Sequence, residues 1–404
     1  MHGQLRVASR NRLTALRAAW LFDGTGSALS PNPVVVIEGT TIRTVQSRGS
    51  IPDGAEMIDL AGATLLPGLV DTHVHLAFDA SADPVGTLHR RQDAEVVQAM
   101  VRAGQTALRG GVTTVRDLGD RGYLSLGLRG RPDLPTVVTA GPPITTPDGH
   151  CHFLGGVAAP TIEGVRAAVR EHAERGVDVI KIMASGGTLT PGSRQDLAQF
   201  PPSVLRAAVD EAHRRGLRVT AHAHAVTAIA DAVAAGVDGL EHVSFWTEDG
   251  VHAPEPLIQL IASKQITVGL TVGMVPMPGM APPPEVVVRL PGIIANTRRM
   301  YEAGAAMVAG TDAGIAPVKP HDVVRHAPAM LRQLGIGQAE ALRTITSDAA
   351  GVCGLGDRKG RLASGFDADV LAVDGDPVAD PEAMHRVRAV YARGVEVPGA
   401  ADGR

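Results

Sequence analysis

The chain has 404 residues, of which 44% are hydrophobic and 20% are charged. This composition is typical of a globular protein with one large domain and a smaller companion, able to bury a full core. With 38 lysines and arginines against 42 aspartates and glutamates, the formal net charge is only −4. A charge so nearly balanced argues against a nucleic-acid partner and against a polybasic membrane patch, and it favours a small-molecule substrate as the partner.

The cysteines and the amino terminus bear on location. Only Cys151 and Cys353 are present, so neither a disulfide framework nor a four-cysteine zinc site can form, and a reducing, cytoplasmic location is expected. The apolar stretch in MHGQLRVASRNRLTALRAAW is interrupted by polar residues, and no later run reaches membrane-spanning length. We therefore expect neither a signal peptide nor a membrane anchor.

The two ends of the chain carry strand-like patterns. Residues 34–45 read VVVIEGTTIRTV, and residues 368–377 and 387–397 read ADVLAVDGDP and VRAVYARGVEV. These are short alternating runs with turn residues between them, which predict β-strands. We predict that residues 1–64 and 353–404 pair into one small domain that contains both termini.

Between these ends, residues 65–352 alternate between helices and strands. Helical stretches repeatedly end at a glycine that is followed within a few residues by an apolar, β-rich run, which is typical of a parallel sheet. Eight strands of this kind are predicted, at residues 65–73, 111–118, 134–140, 177–184, 217–224, 238–244, 266–272 and 305–312. They favour an α/β fold of the (β/α)8, or TIM-barrel, type. The alternative is a doubly wound open sheet, which would not bring ligands from its first and last strands to one point.

Five of the predicted strands end in residues that could bind a metal. His73 and His75 are two positions apart on one strand, so their side chains point to the same face and can hold one metal together. His222 and His242 follow on later strands, and Asp312 follows the last. Imidazole and carboxylate ligands suit zinc best, with manganese, iron or cobalt as alternatives.

Lys181 lies in the apolar run VIKIMAS, where burial would lower its pKa and free the amine to react. Capture of carbon dioxide would convert this amine into a carbamate, an anionic ligand able to bridge two metals. Because a carbamate can bridge two metals, we predict that Lys181 is N-carboxylated and that the site holds two divalent ions. The alternative is a buried lysine that pairs with a carboxylate such as Asp117 or Asp312.

The remaining site predictions concern proton transfer and substrate contacts. Asp312 is predicted to be both a metal ligand and the catalytic acid and base, because a carboxylate beside an activated water can take its proton. In AHAH we assign His222 as the ligand and His224 to substrate contact, and the reverse assignment stays open. The other predicted substrate contacts are His150, His152, Lys319, His321 and Arg325. For these loop residues the alternative is solvation or bonding to the backbone.

These motifs resemble the amidohydrolase superfamily. The matching segments are LLPGLVDTHVHL, KIMASGG, AHAH, EHVSF and GTDAG, in this order, and the resemblance covers nearly the whole chain. It is greatest for the branch of metal-dependent carboxylate amidases, prolidase-like dipeptidases and ochratoxin-hydrolysing amidases, with imidazolonepropionase more distant. The resemblance implies a TIM barrel, a β-sandwich domain built from both termini, and a carboxylated Lys181. One departure is the loop PDGHCHFLGGVAAP, which lacks the acidic residue that relatives tend to carry after its glycines.

The predicted function is that of a binuclear metal-dependent amidohydrolase. It would cleave the amide C–N bond of a small N-acyl amino acid or dipeptide-like substrate by means of metal-activated hydroxide. Hydrolysis of a cyclic amide, lactone or carbamate is the nearest alternative, and deamination is another. A non-catalytic metal-binding or assembly protein is a remote alternative, since no ligand is missing. Barrels of this kind often associate through their outer helices, so a homo-oligomer is also considered.

Overall fold

The computed structural model describes residues 13–47, 49–280 and 282–400. Residues 1–12, which hold most of the stretch examined for a signal peptide, lie outside the described residues, as do residues 401–404 of the predicted C-terminal segment. Among the helices that are described, none combines the length and the apolar character needed to cross a membrane.

The strands fall into a terminal group and a central group. The described part of the chain contains β1 Leu13–Leu21, β2 Ser30–Pro31, β3 Pro33–Glu38, β4 Thr41–Ser47, β5 Glu56–Pro67, β6 Leu69–Val74, β7 Val112–Asp117, β8 Thr136–Thr139, β9 Val179–Met183, β10 Arg218–Ala225, β11 Gly239–Trp246, β12 Thr267–Thr271, β13 Met307–Gly310, β14 Val370–Asp374, β15 Val387–Ala392 and β16 Val395–Glu396.

The helices lie between and after the central strands. They are α1 Pro84–Arg90, α2 Asp93–Arg109, α3 Ile162–Arg175, α4 Pro202–Arg214, α5 Val226–Ala235, α6 Glu255–Ser263, α7 Pro284–Glu302, α8 Ala327–Gln333, α9 Gln338–Arg343 and α10 Ser347–Val352. Helix α3 illustrates how local sequence sets their ends. Its N-cap Thr161 accepts from the Gly164 amide, and Gly176 ends it with φ of 83°, a conformation that glycine adopts without steric cost.

The eight central strands, β6 to β13, form two parallel sheets. Strands β13, β12, β11, β10 and β9 are hydrogen-bonded in that order, and β6, β7 and β8 make the second sheet. Single parallel bridges join the sheets at both sides, Ile144 to Ile182 and Val74 to Ala313. Each of the eight predicted strand segments overlaps one of these strands, and β6, β10 and β11 extend one or two residues beyond the predicted ends. The prediction of an α/β fold with parallel sheets is therefore confirmed.

A mixed sheet combines strands from both ends of the chain. Its order is β16, β15, β14, β5, β1, β3 and β4, with β2 paired to β1. Strand β14 pairs antiparallel with β5, from Val370 opposite Pro67 to Asp374 opposite Ala63. After Gly68, β5 leads directly into β6, so this sheet is continuous in the chain with the strand that carries His73. The predicted boundary between residues 64 and 65 falls inside β5.

The two largest hydrophobic clusters of the described residues differ in the strands that they cover. The larger surrounds the central strands and includes Leu69, Ile180 and Leu240. A separate cluster combines Leu16 and Val370 from opposite ends of the chain. The larger cluster also includes Leu371 and Val390 of the terminal sheet. Because burial of apolar area is the main favourable term in folding, this cluster stabilises the central strands together with part of the terminal sheet.

Two histidines meet where the turn at residues 323–326 contacts residues 381–385. The ring centroids of His326 and His385 lie 4.1 Å apart. Burial, and next the neighbouring His385, lowers the pKa of His326 to about 4. Burial also lowers the pKa of His385. Protonation of these rings is therefore less favourable in the folded protein than in the unfolded chain.

We expect the protein to lose stability as the pH falls from 6.5, the ordinary pKa of histidine, to about 4. In this window the unfolded chain binds more protons than the folded protein, so the free energy of unfolding rises with pH across it. In His326→Asn the decrease in the free energy of unfolding over this pH window should be about 1 kcal/mol smaller than in wild type. The difference is this small because the ring is only half-buried, so that solvent screens its interactions. Thermal unfolding across this pH range measures the difference, and identical pH dependence of the two proteins would contradict the expectation.

Candidate metal centre

The carboxyl ends of the central strands bring five of the predicted ligands together. His73 lies on β6 and His75 directly follows it, while Asp312 follows β13. The ring centroid of His73 is 5.3 Å from that of His75 and 5.3 Å from that of His242. The rings of His222 and His242 are 4.6 Å apart. Residues separated by up to 239 positions in the sequence thus form one cluster.

Two sets of three side chains in this cluster could each hold a metal ion. One ligand atom from each of His73, His242 and Asp312 lies within 4.8 Å of the others. The same holds for His222, His224 and His242. Since His222 and His224 both reach the second set, the geometry does not decide between them as ligands.

The Asp312 carboxylate lies beside the two histidines of the first strand. Its Oδ1 is 3.2 Å from His75 Nε2 and 3.6 Å from His73 Nε2. Burial acts to raise the pKa of Asp312, but the neighbouring His73 and His75 hold it well below its usual range. Asp312 is therefore ionised, as a metal ligand or a general base must be.

Each of five imidazoles has one ring nitrogen engaged by the surrounding protein. The pairs are His73 Nδ1 with Glu241 Oε2 at 3.0 Å, His75 Nδ1 with the Gly119 carbonyl at 3.0 Å, His222 Nε2 with the Gly186 carbonyl at 3.0 Å, His224 Nδ1 with Ser244 Oγ at 2.6 Å, and His242 Nδ1 with Thr271 Oγ1 at 3.2 Å. Such contacts fix ring orientation and leave the other nitrogen for a ligand. Burial is the main cause that lowers the pKa of His222 and His242 well below the usual histidine value.

The backbone is strained at two of the predicted ligands. His242 has φ of 71° and Asp312 has φ of 60°, values in the left-handed region that residues with a Cβ rarely adopt. Strain of this kind persists where the surroundings determine it, and it is concentrated at functional sites. Gly310 shows how closely the chains approach here, because a Cβ at this residue would lie 2.5 Å from the Cβ of His73.

Lys181 is the sixth predicted ligand and lies buried among the others. Its side chain is 1% exposed, and its Nζ has no hydrogen-bond partner among the described residues. Burial lowers the pKa of this amine to about 8. The sequence has four lysines, and the two others that are buried have partners: Lys359 pairs with Asp369, and Lys319 donates to carbonyl oxygens. Lys181 therefore combines burial with an amine that the protein leaves unbonded.

Of the two loop histidines predicted to contact substrate, only His150 is buried against the cluster. Its ring centroid is 4.7 Å from that of His222, and its Nδ1 has no partner among the described residues. Burial lowers the pKa of His150 to about 4. His152 is half-buried, and its Nδ1 lies 3.0 Å from the carbonyl oxygen of Gly149 in the same turn.

Lys319 binds the backbone at the ends of the last two central strands. Its Nζ donates to the carbonyl oxygens of Thr311, Thr271 and Gly273 at 2.5, 3.4 and 3.5 Å. Burial lowers the pKa of this ammonium group, although Asp312 acts to raise it. The partners of Lys319 in the structure are thus protein groups, and its contact with substrate stays a prediction.

His321 and Arg325 also have partners within the protein. His321 Nε2 lies 3.1 Å from the carbonyl oxygen of His75. Arg325 forms an ion pair with Asp322 at 2.5 Å. Substrate contact stays a prediction for these two residues as well.

Sequence reasoning missed a buried network behind His73. Glu241 approaches His73 Nδ1 through one oxygen, and it accepts from Arg116 Nη2 at 3.0 Å and from Thr220 Oγ1 at 2.7 Å through the other. Burial acts to raise the pKa of Glu241, but Arg116 and His73 lower it well below its usual range. Arg116, on the second central strand, is thus the cation of a buried ion pair whose anion is Glu241. The signal in the sequence that could have indicated Glu241 is the pair EH, in which an acidic residue directly precedes the predicted ligand His242.

Asp71 is a second missed residue. It lies two positions before His73, and its carboxylate accepts from the Thr311 amide at 3.0 Å and from the Thr311 hydroxyl at 2.5 Å. Burial raises the pKa of Asp71 to about 7. These bonds tie the first central strand to the residue before Asp312.

Comparison with known proteins points to one family. The family model described as "Amidohydrolase family" matches residues 64–397. An ochratoxinase from Aspergillus niger is 28% identical over 421 aligned positions, which cover 94% of this chain and 85% of that protein.

Solved structures give the same result. A Xaa-Pro dipeptidase with methionine bound in its active site matches with a TM-score of 0.82 and 26% identity, over 95% of this chain and 99% of that chain. A prolidase complexed with N-methylphosphonate-L-proline matches with a TM-score of 0.80 and 28% identity, over the same shares of the two chains. The likeness therefore extends over both the central and the terminal strands.

Proposed function

The chain belongs to the amidohydrolase family and is a hydrolase of carbon–nitrogen bonds, and from this premise we propose that it is a binuclear metal-dependent amidase. Its substrate would be a small N-acyl amino acid or a dipeptide-like amide. The observation that carries the proposal is the unbonded, buried amine of Lys181 inside a cluster of histidines and one carboxylate.

We also propose that the eight central strands close into one (β/α)8 barrel and that the terminal strands form a β-sandwich domain. The bridges at both joins between the parallel sheets support closure, as does the 2.7 Å hydrogen bond from the Asp312 amide to the His73 carbonyl. The separate terminal core supports a domain made of residues 1–64 and 353–404, with the barrel in residues 65–352. Catalytic residues at the carboxyl ends of barrel strands are the rule for this fold.

The residues present fit two divalent ions. His73, His75 and Asp312 would hold one ion and His222 with His242 the other, and carboxylated Lys181 would serve both. An uncharged or ammonium-bearing Lys181 leaves its nitrogen without a partner, whereas a carbamate would give this position an anionic oxygen ligand. Imidazole and carboxylate ligands favour zinc. When bound, such ions polarise a carbonyl oxygen and lower the pKa of a water molecule toward 7.

Proton transfer is assigned to Asp312. The adjacent histidines hold its pKa low, so the carboxylate is unprotonated and has a lone pair for the proton of the attacking water. The same oxygen would then deliver that proton to the leaving nitrogen, so that the amine departs neutral. We assign to His150 and His224 the hydrogen bonds that would be donated to the oxygen of the tetrahedral intermediate.

The class of substrate rests on the similar proteins. The dipeptidase structure holds methionine in its active site and the prolidase structure holds a proline derivative, and both chains match this one along 95% of its length. Free amino acids and their N-substituted forms share the carboxylate and the nitrogen that an N-acyl amino acid would present. We infer that this enzyme accepts molecules of that size.

Metal analysis combined with a product assay tests the proposed function. The purified protein, supplied with bicarbonate, should contain close to two divalent ions per chain and release a free amino acid from N-acyl amino acids or dipeptides. One ion per chain with release of ammonia would indicate a deaminase instead. Metal binding without hydrolysis of any amide, cyclic amide or carbamate would contradict the assignment of an amidase.

Gly187→Ala is expected to lower kcat/KM by about 10-fold without changing metal content. A Cβ at residue 187 would lie 2.4 Å from His150 Nε2 and would displace this ring from the site. Loss of one hydrogen bond to the developing oxyanion costs about 1–3 kcal/mol. Gly250→Ala is the matched control, since a Cβ there meets nothing within 4 Å. Equal activity of the two variants would show that His150 takes no part in the reaction.

A further inference from the structure

Glu241 is the centre of a buried network that reaches four strands. Its carboxylate lies 3.0 Å from His73 Nδ1 on β6 and 3.0 Å from Arg116 Nη2 on β7, and it accepts from Thr220 Oγ1 on β10 at 2.7 Å. The side chains of Glu241, His73 and Arg116 are 2%, 1% and 5% exposed, so solvent does not screen these contacts. Arg116 also donates to the carbonyl oxygen of Thr72, the residue before His73. The network therefore fixes both the ring and the backbone of the first-strand ligand.

The neighbouring strand leaves room for this carboxylate. Glu241 pairs with Gly269 of β12 in the parallel register, and a Cβ at residue 269 would lie 2.2 Å from Glu241 Oε2. That distance is far inside van der Waals contact, so only glycine permits the observed position. A methyl group at residue 269 would displace the carboxylate while leaving its charge and that of Arg116 in the protein.

The contact of His73 differs from those of the other cluster histidines. Of the five cluster histidines, His73 is the one whose ring contacts a carboxylate through the nitrogen that faces away from Asp312. The partners of His75 and His222 are backbone carbonyls, and those of His224 and His242 are hydroxyls. A carboxylate only accepts, so His73 Nδ1 carries the proton and Nε2 presents its lone pair toward Asp312. A charged acceptor also makes an imidazole a stronger metal ligand than a neutral acceptor does.

From this asymmetry we propose that Glu241 is a positioning residue, which gives the metal position at His73 a higher affinity for its ion than the position at His222. The proposal rests on the proposed two-metal function. The first ion taken up by the metal-free protein binds with His73, His75 and Asp312. The second ion binds with His222 and His242, which lack a carboxylate behind their rings.

Metal binding to the metal-free, full-length protein tests this assignment. Zinc is titrated against a competing chelator with bicarbonate present, and bound zinc is counted by elemental analysis. The variants are Glu241→Gln, which removes the charge but keeps the shape, and Gly269→Ala, which keeps both buried charges but moves the carboxylate. Gly250→Ala is the control for an added methyl group. Circular dichroism of each metal-free variant establishes that it folds before its affinity is compared.

We expect wild type to bind zinc in two steps and both Glu241→Gln and Gly269→Ala to weaken the first step by about 10–100-fold. The second step should change by less than about 2-fold, and Gly250→Ala should match wild type. Equal weakening of both steps, or no change in the first, would overturn the proposal. If wild type bound one ion only, the two-metal function would fail by itself. Weakening of that single ion in Glu241→Gln would then still support the role of Glu241, and an unchanged affinity would refute it.

Discussion

Asp312→Asn is expected to lower kcat by about 10²–10⁴-fold while most of the bound metal is retained. The amide matches the carboxylate in shape but cannot accept a proton from water or return one to a leaving nitrogen. Histidines at 3.2 and 3.6 Å keep the pKa of Asp312 well below its usual range, so the wild-type carboxylate is unprotonated near neutral pH. The loss should therefore appear across the whole pH profile. Steady-state kinetics with metal analysis of the same samples measures it.

The control for this variant is Asp231→Asn on helix α5, where the carboxyl group is partly exposed and belongs to no part of the cluster. It should retain full activity. An Asp312→Asn protein with normal kcat and normal metal content would show that another group moves the proton. His150 would then be the next residue to examine.

Lys181→Ala is expected to lower bound metal from close to two ions per chain to one or fewer and to reduce kcat/KM by about 10³-fold. This corresponds to about 4 kcal/mol, the order of the transition-state stabilisation that a metal ion provides. The side chain is 1% exposed and its amine is unbonded, so the substitution removes no hydrogen bond or ion pair that stabilises the fold. Elemental analysis measures the loss of bound metal, and turnover of an N-acyl amino acid by the same samples measures the loss of kcat/KM.

Addition of a short carboxylate separates a lost ligand from a damaged fold. Lys181→Ala leaves a space in which propionate could replace the carbamate, and part of the metal and of the activity should return with it. Lys264→Ala, at the exposed end of α6, should behave as wild type with and without propionate. Full metal content in Lys181→Ala without added acid would contradict the bridging role of the carbamate.

The strands were predictable because their pattern is local. Every one of the eight central segments carries an apolar run that is buried on both faces, as β6 and β7 are in the structure. Glycines such as Gly176 mark the preceding helix ends within a few residues. The order in which β5, β1 and β14 pair was beyond this reasoning, since it depends on contacts between residues about 300 positions apart.

The cluster was predictable in part. His73, His75, His222, His242 and Asp312 do come together, because strand ends in parallel sheets meet at one edge. Their roles as ligands stay a proposal.

The role of Glu241 could not be predicted from the alternation of side chains along a strand. Adjacent residues on a strand normally point to opposite faces, but the left-handed backbone at His242 lets Glu241 and His242 both approach His73. Nor could the partners of Lys319 be read from its sequence position, because they are carbonyl oxygens of two other segments.

The pairing of β5 with β14 has a consequence for biosynthesis. Strand β5, which leads into the strand that carries His73, leaves the ribosome early, whereas its neighbour β14 is made about 300 residues later. During that interval one edge of β5 lacks the neighbour that it has in the finished protein, and exposed strand edges of this kind promote aggregation. A nonsense mutation just before Val370 would leave every proposed metal ligand in the chain and yet leave that edge uncovered permanently. Such a truncated product should accumulate in inclusion bodies even though its proposed catalytic residues are complete.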